Sequence, residues 1–154
     1  MKKLFLLSVA FLCAIVCIAA GKTTIIMKKG QVIDLGGNTV EVSKFIGSGE
    51  VRNGIIVSDS FIVNGSLLIP AYTGMELCLE ARLLDNPATL TLVGSATNVV
   101  INASNLRDWL TIRYPTNTIS GVTLVPPTYK KMQVRADPDG WTLTRDYPFR
   151  LSLK

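Results

Sequence analysis

Apolar and polar residues alternate with a period of two along most of the chain, and a 3.6-residue amphipathic period is nowhere sustained beyond about two turns. Gln31–Leu35, Thr39–Val42, Glu50–Arg52, Ile55–Val57 and Phe61–Val63 are short runs rich in β-branched residues, which suit a pleated, half-buried surface. Gly36-Gly37-Asn38, Gly47-Ser48-Gly49, Asn53-Gly54 and Asn64-Gly65 punctuate them, and Asn-Gly readily takes the positive φ of tight turns. Further runs fall at Met75–Leu83, Ala88–Val93, Asn98–Asn102, Leu110–Tyr114, Gly121–Val125, Met132–Arg135, Trp141–Arg145 and Phe149–Leu153. Ser104–Trp109 has room for one short turn. Pro126-Pro127 interrupts the alternation, and Asp137-Pro138-Asp139-Gly140 is a turn signal that makes the last part a β-hairpin. The pattern predicts an all-β protein.

One segment breaks the alternation. Lys2-Lys3 precede the unbroken apolar run Leu4–Ala20, with small residues Ala19, Ala20 and Gly21 at its end. A positive start, an apolar core and small residues at the exit are the three parts of a secretory signal, with cleavage expected near Ala20 or Gly21. The run also approaches the roughly 20 residues a spanning helix needs, so a retained membrane anchor is the alternative. Lipidation at Cys17 is disfavoured by Val16 in the place where Gly or Ala usually stands. The expected division is a leader over 1–21 and one β-rich domain over 22–154, placed outside the cell or in its envelope. Membrane association is expected only if the leader is kept.

Removing the leader changes the rest of the arithmetic. The whole chain carries 16 Lys and Arg against 11 Asp and Glu, a net charge of +5; two of the bases leave with the leader, so the remainder is +3. Lys28-Lys29 and Lys130-Lys131 are isolated pairs and not the basic stripe that nucleic acid requires, so no nucleic-acid partner is expected. Cys13 and Cys17 also fall in the leader, which leaves Cys78 without an internal disulfide partner. Within Met75–Leu83 it alternates with Leu77, Leu79, Ala81 and Leu83 and is expected as a partly buried thiol.

Two architectures fit these strands. A β-sandwich or jelly roll would use antiparallel strands joined by hairpins. A right-handed parallel β-helix with a C-terminal hairpin would use short strands separated by Gly and Asn corners, with aliphatic residues stacking between coils. Gly30-Gln31-Val32-Ile33-Asp34-Leu35-Gly36-Gly37-Asn38-Thr39-Val40 resembles the opening coil of pectate-lyase-like and phage tail-spike β-helices. Gly47–Ile55 and Ile119–Leu124 resemble the phrases of later coils, a small residue and a turn followed by a buried aliphatic. The likeness covers about half the domain, and no clean repeat extends through Leu67–Asn86. It places the β-helix ahead of the sandwich.

The candidate chemistry is sparse. There is no histidine, which removes the usual Ser-His-Asp and Cys-His arrangements and the commonest zinc ligand. No phosphate loop occurs, and no cofactor or metal is expected. Paired carboxylates are the surviving enzymatic option. Glu76 and Glu80 share a strand face, but at about 3.4 Å per residue they stand some 13 to 14 Å apart, too far to flank one bond. Asp137 and Asp139 are expected to hydrogen-bond the turn backbone, with calcium binding as a minor alternative. Asn64-Gly65-Ser66 and Asn102-Ala103-Ser104 fit a glycosylation pattern that a bacterial-looking leader makes irrelevant. Aromatic residues able to stack on sugar rings remain, Tyr72, Trp109, Tyr114, Tyr129, Trp141 and Tyr147, of which Tyr72, Tyr129, Trp141 and Tyr147 are the binding candidates. Core packing is the expected role of Trp109, among Leu106, Leu110 and Ile112, and is favoured also for Trp141, which alternates with Leu143.

The sequence thus points to a secreted or envelope-associated structural or adhesive protein, such as a surface-appendage or phage-fibre component, with no catalytic residue assigned. Open strand edges make a homo-oligomer the expected state. The alternative is a small carbohydrate-binding or polysaccharide-cleaving domain acting on a glycan or cell-surface polymer.

Overall fold

The computed structural model of the chain describes residues 15–19, 22–80 and 88–145. These residues form an all-β protein of eleven strands with no helix among them. Most of the expected leader, Met1 to Ala14 with Ala20 and Gly21, lies outside the described residues, as do Tyr147 and the predicted strand Phe149–Leu153. The described part of the apolar run, Ile15–Ala19 (β1), pairs antiparallel with Lys22–Ile26.

The first half of the domain, Lys22–Pro70 (β2), runs for 49 residues as extended stretches joined at corners. A straight strand of that length would run about 160 Å. Instead it folds back on itself at corners of positive φ that include Gly36, Gly37 and Asn53. Gly47 shows why a corner needs glycine: at φ 155° a Cβ there would collide with the Met27 carbonyl oxygen. The same close stacking brings Gly54 against Leu35 and Gly65 against Ser48. Asn53 Nδ2 donates to Asp34 Oδ2 across 19 residues at 2.8 Å. The stacked pairs Met27 with Gly47, Leu35 with Gly54 and Ser48 with Gly65 are offset along the chain by nearly the same amount as Asp34 and Asn53.

The second half is built from short strands in three sheets. Ala88–Val93 (β4) pairs parallel with Ser66–Pro70 of β2 and with Leu110–Arg113 (β7). Val100–Asn102 (β6) lies parallel between Glu76–Cys78 (β3) and Thr123–Val125 (β9). Ala96–Thr97 (β5) pairs parallel with Ile119–Ser120 (β8). The offset between partners recurs in all three sheets: Ser66 with Thr89, Ala96 with Ile119 and Val100 with Thr123 are equally far apart in the chain. Glu76 with Val100 is one position longer and Ala88 with Leu110 one position shorter. A sandwich of hairpins would have made these central pairs antiparallel; the structure makes them parallel.

Alternation sends one row inward in the parallel strands β4, β6 and β7 and in the parts of β2 and β3 that pair with them. Leu67 pairs with Leu90 and Leu90 with Ile112, all three fully buried, and Leu77 pairs with Ile101 in the second sheet, also fully buried. Phe45 and Phe61 fill the same core with ring centroids 5.8 Å apart. The opposite row of the first sheet is hydroxylated, Ser66 to Thr89 to Thr111.

The parallel order ends at the predicted hairpin. Met132–Asp137 (β10) and Gly140–Arg145 (β11) pair antiparallel around Pro138-Asp139, and β11 lies antiparallel on β7. Within the predicted run Met75–Leu83, β3 covers Glu76–Cys78 and a parallel bridge joins Phe61 to Leu79, while Ala81, Arg82 and Leu83 lie outside the described residues. Ser104–Trp109 contains a turn closed by Leu106 N donating to the Ala103 carbonyl at 2.9 Å.

Candidate functional site

Most acids of the described residues are engaged in structural contacts. Asp34 accepts from the Gly36 amide at 2.8 Å as well as from Asn53. Glu50 is clamped by the Arg52 guanidinium, whose hydrogen bond pulls its carboxyl below the usual range. Glu80 pairs with Lys44 at 3.0 Å. Glu76 lies 3.8 Å from the Cys78 thiol. Burial first, and the Glu76 carboxylate second, push that thiol above its ordinary value, so Cys78 is a poor nucleophile. It is half-buried and free, as the alternation with Leu77 and Leu79 implies. Glu41 and Asp59 border an open hollow of about 270 Å³ with Thr23 and Ser43, and among the described residues no aromatic ring lines it.

The aspartates of the hairpin turn depart from expectation. Their partners are side chains of the neighbouring strands. Asp137 accepts from Thr142 Oγ1 at 2.6 Å, from Arg113 Nη1 at 3.0 Å and from Arg135 Nε at 3.0 Å. In that order these donors hold its carboxyl down to about 2, against the cost of burial. Arg113 also reaches Asp139 at 3.5 Å. One guanidinium on β7 thus ties down both turn acids and locks the hairpin to the sheet. The carboxylates face cations already in place, which argues against calcium there. Among the described residues no group of three or more His, Cys, Asp and Glu is placed to hold a metal ion.

The sequence-predicted aromatics occupy separate elements. Tyr72 is partly buried against the core in the loop after β2. Trp141 on β11 packs on the core with its ring tilted 40° to that of Tyr114, centroids 5.6 Å apart. Tyr129 precedes β10 and carries Arg145 over its ring, the guanidinium carbon 5.4 Å from the centroid. Tyr129 and Trp141 share the hairpin region, and Tyr72 stands apart from them. Trp109 is not the core residue its neighbours suggest: it is 37% exposed. Its inner side borders a cavity of about 10 Å³ with Phe61, Val63, Leu79, Leu106 and Leu110, too small to hold more than one water.

Arg113 and Arg145 were not singled out by the sequence. The signal for Arg145 was present: counting the hairpin register from the Asp137–Gly140 turn sets it opposite Met132, close in the chain to Tyr129. A shallow open groove of about 750 Å³ runs along the early corners, lined by Lys29, Gln31, Glu50, Asn64, Ser66 and Thr89. The side-chain carbonyl of Gln31 accepts from the Lys28 amide at 2.7 Å, and Glu50 is held by Arg52. Among the described residues no carboxylate pair lines the groove. Neither a family model, a curated protein nor a solved structure matches the chain. Among the described residues no helix is long and apolar enough to cross a membrane.

Proposed function

We propose that the chain is an exported, non-catalytic structural or adhesive protein of the cell envelope or of a surface appendage. In this reading its strands wind as a right-handed parallel β-helix closed by the C-terminal hairpin. The observation that carries the reading is the parallel pairing of three sheets at a near-constant offset along the chain, which is the spacing that arises when each circuit lies on the last. The right hand follows from the rule for parallel crossovers. The engagement of most acids in structural contacts supports a scaffold over a hydrolase.

The same reading gives the protein a partner. A wound stack ends in strands whose outer backbone groups need covering, and copies of the same chain do this with closed symmetry. Light scattering on the size-separated protein tests the assembly: a discrete oligomer is expected, and a monomer that persists at high concentration refutes it. Fractionation of the producing cell with sequencing of the protein's N-terminus tests export, with cleavage near Ala20 or Gly21 expected. Full-length protein in the cytoplasm would count decisively against it.

A further inference from the structure

We propose that the corner formed by Arg107, Trp109, Tyr129, Lys130, Lys131 and Arg145 docks the protein on an anionic lipid surface; the proposal rests on the envelope placement above. These residues come from three segments that hydrogen bonds hold together. The Ser104 carbonyl accepts from the Thr128 amide at 3.1 Å and from its hydroxyl at 2.9 Å, which joins the loop before β7 to the segment before β10. The Met132 amide returns to the Tyr129 carbonyl at 2.9 Å, and Met132 pairs with Arg145. Trp109 Nε1 donates to the Arg145 carbonyl at 3.3 Å and closes the corner.

The chemistry of the corner is that of a membrane interface. Among the described residues, four cations and two amphipathic rings belong to these segments with one acid, Asp108, which accepts from the Trp109 amide at 2.8 Å. Arg107, Lys130 and Lys131 are exposed. Val125, whose carbonyl receives the Ala103 amide at 2.9 Å, adds an exposed aliphatic side chain at the same end. Tryptophan and tyrosine seat their bodies at headgroup level, and long basic side chains reach the phosphates above.

Three features favour a lipid surface over a sugar. Stacking on a pyranose competes for ring faces, and Arg145 leaves Tyr129 with at most one to offer. Orienting a sugar needs free in-plane donors, and the indole N–H of Trp109 is engaged within the protein. Nor does the corner enclose a ligand: the cavity bordering Trp109 is about 10 Å³. An extended surface, met by protruding side chains, is the partner such a shape accepts.

Tryptophan itself reports the contact. The chain has two, Trp109 and Trp141, and none in the leader, so Trp141→Phe leaves a probe in the corner wherever the apolar N-terminus inserts. The full-length variant, checked for an unchanged circular dichroism spectrum, is mixed with vesicles of phosphatidylglycerol or of phosphatidylcholine with brominated acyl chains. Quenching of Trp109 by the anionic vesicles and not by the zwitterionic ones is expected. Each lysine near an anionic surface contributes about fivefold, so Lys130→Gln with Lys131→Gln should raise the lipid concentration needed by about 25-fold. Absence of quenching in phosphatidylglycerol, equal quenching in both lipids, or insensitivity to the lysine changes would each overturn the proposal. So would a shift of Trp109 emission by a soluble polyuronate without quenching by vesicles, which would assign the corner to a glycan. A cytoplasmic chain that still docks on anionic vesicles would refute the envelope placement and leave the corner's chemistry intact.

Discussion

Leu90→Ala tests whether the inner rows are continuous. Leu90 is fully buried at the centre of the row Leu67–Leu90–Ile112, with a paired neighbour on either side, and its chain neighbours Thr89 and Thr91 point outward. Truncating it removes three carbons between side chains whose backbones are tied by parallel hydrogen bonds on both sides, so the walls have little room to collapse. Leucine truncations at such sites cost about 3 to 5 kcal/mol, the cost rising with the cavity left behind. With a urea slope of about 2 kcal/mol per molar, the unfolding midpoint should fall by about 2 M. The outward change Thr91→Ala should stay within about 0.5 kcal/mol. Leu67→Ala combined with Leu90→Ala should deviate from additivity by at least about 0.5 kcal/mol, because the two share one contact. Urea titrations followed by circular dichroism read all of these. A loss for Leu90→Ala below about 1.5 kcal/mol, the least that burying a whole leucine side chain is worth, would refute the row. So would a loss equal to that of Thr91→Ala.

Three further outcomes are expected. The Asp137 carboxyl is held at about 2, below its ordinary 3.8, so its contribution is present above about pH 4 and is lost as pH falls through 2; melting curves of the protein and of Asp137→Asn should differ at pH 5 and converge below pH 2. Ser60 Oγ is buried with no hydrogen-bond partner among the described residues, so Ser60→Ala should leave stability unchanged or raise it by up to about 1 kcal/mol in urea titration, and a loss of stability would show that the hydroxyl is bonded. At Gly140, φ is 151° and a Cβ would strike the Ile112 carbonyl oxygen; Gly140→Ala should separate β11 from β7 and speed hydrogen exchange at the amides that join them.

The strands were legible because alternation is a local property. Ala88–Val93 has the same limits in sequence and structure, and the Asp137–Gly140 turn is where its residues place it. Strand direction was less legible, because parallel and antiparallel strands alternate alike; only the distant partner distinguishes them, and the corners between partners vary in length. Trp109 misleads because its apolar chain neighbours do turn inward, while its own side chain covers the edge of the core. The Asp137 cluster joins Asp137 to Arg113, a sequence separation at which no local turn rule operates.

The spacing of the parallel partners also bears on how such a chain is made. Because each strand waits for a partner one short and nearly constant stretch of chain away, the entropy of closing one loop is nearly the same at every step, and no parallel pairing depends on the far end of the chain. Assembly can therefore proceed in the direction in which residues are released, each new segment docking on the one before. The β10–β11 hairpin follows the parallel strands in the chain, and Arg113 on β7 receives it. A product threaded unfolded through a narrow pore and ordered on the far side would be well served by that sequence of events.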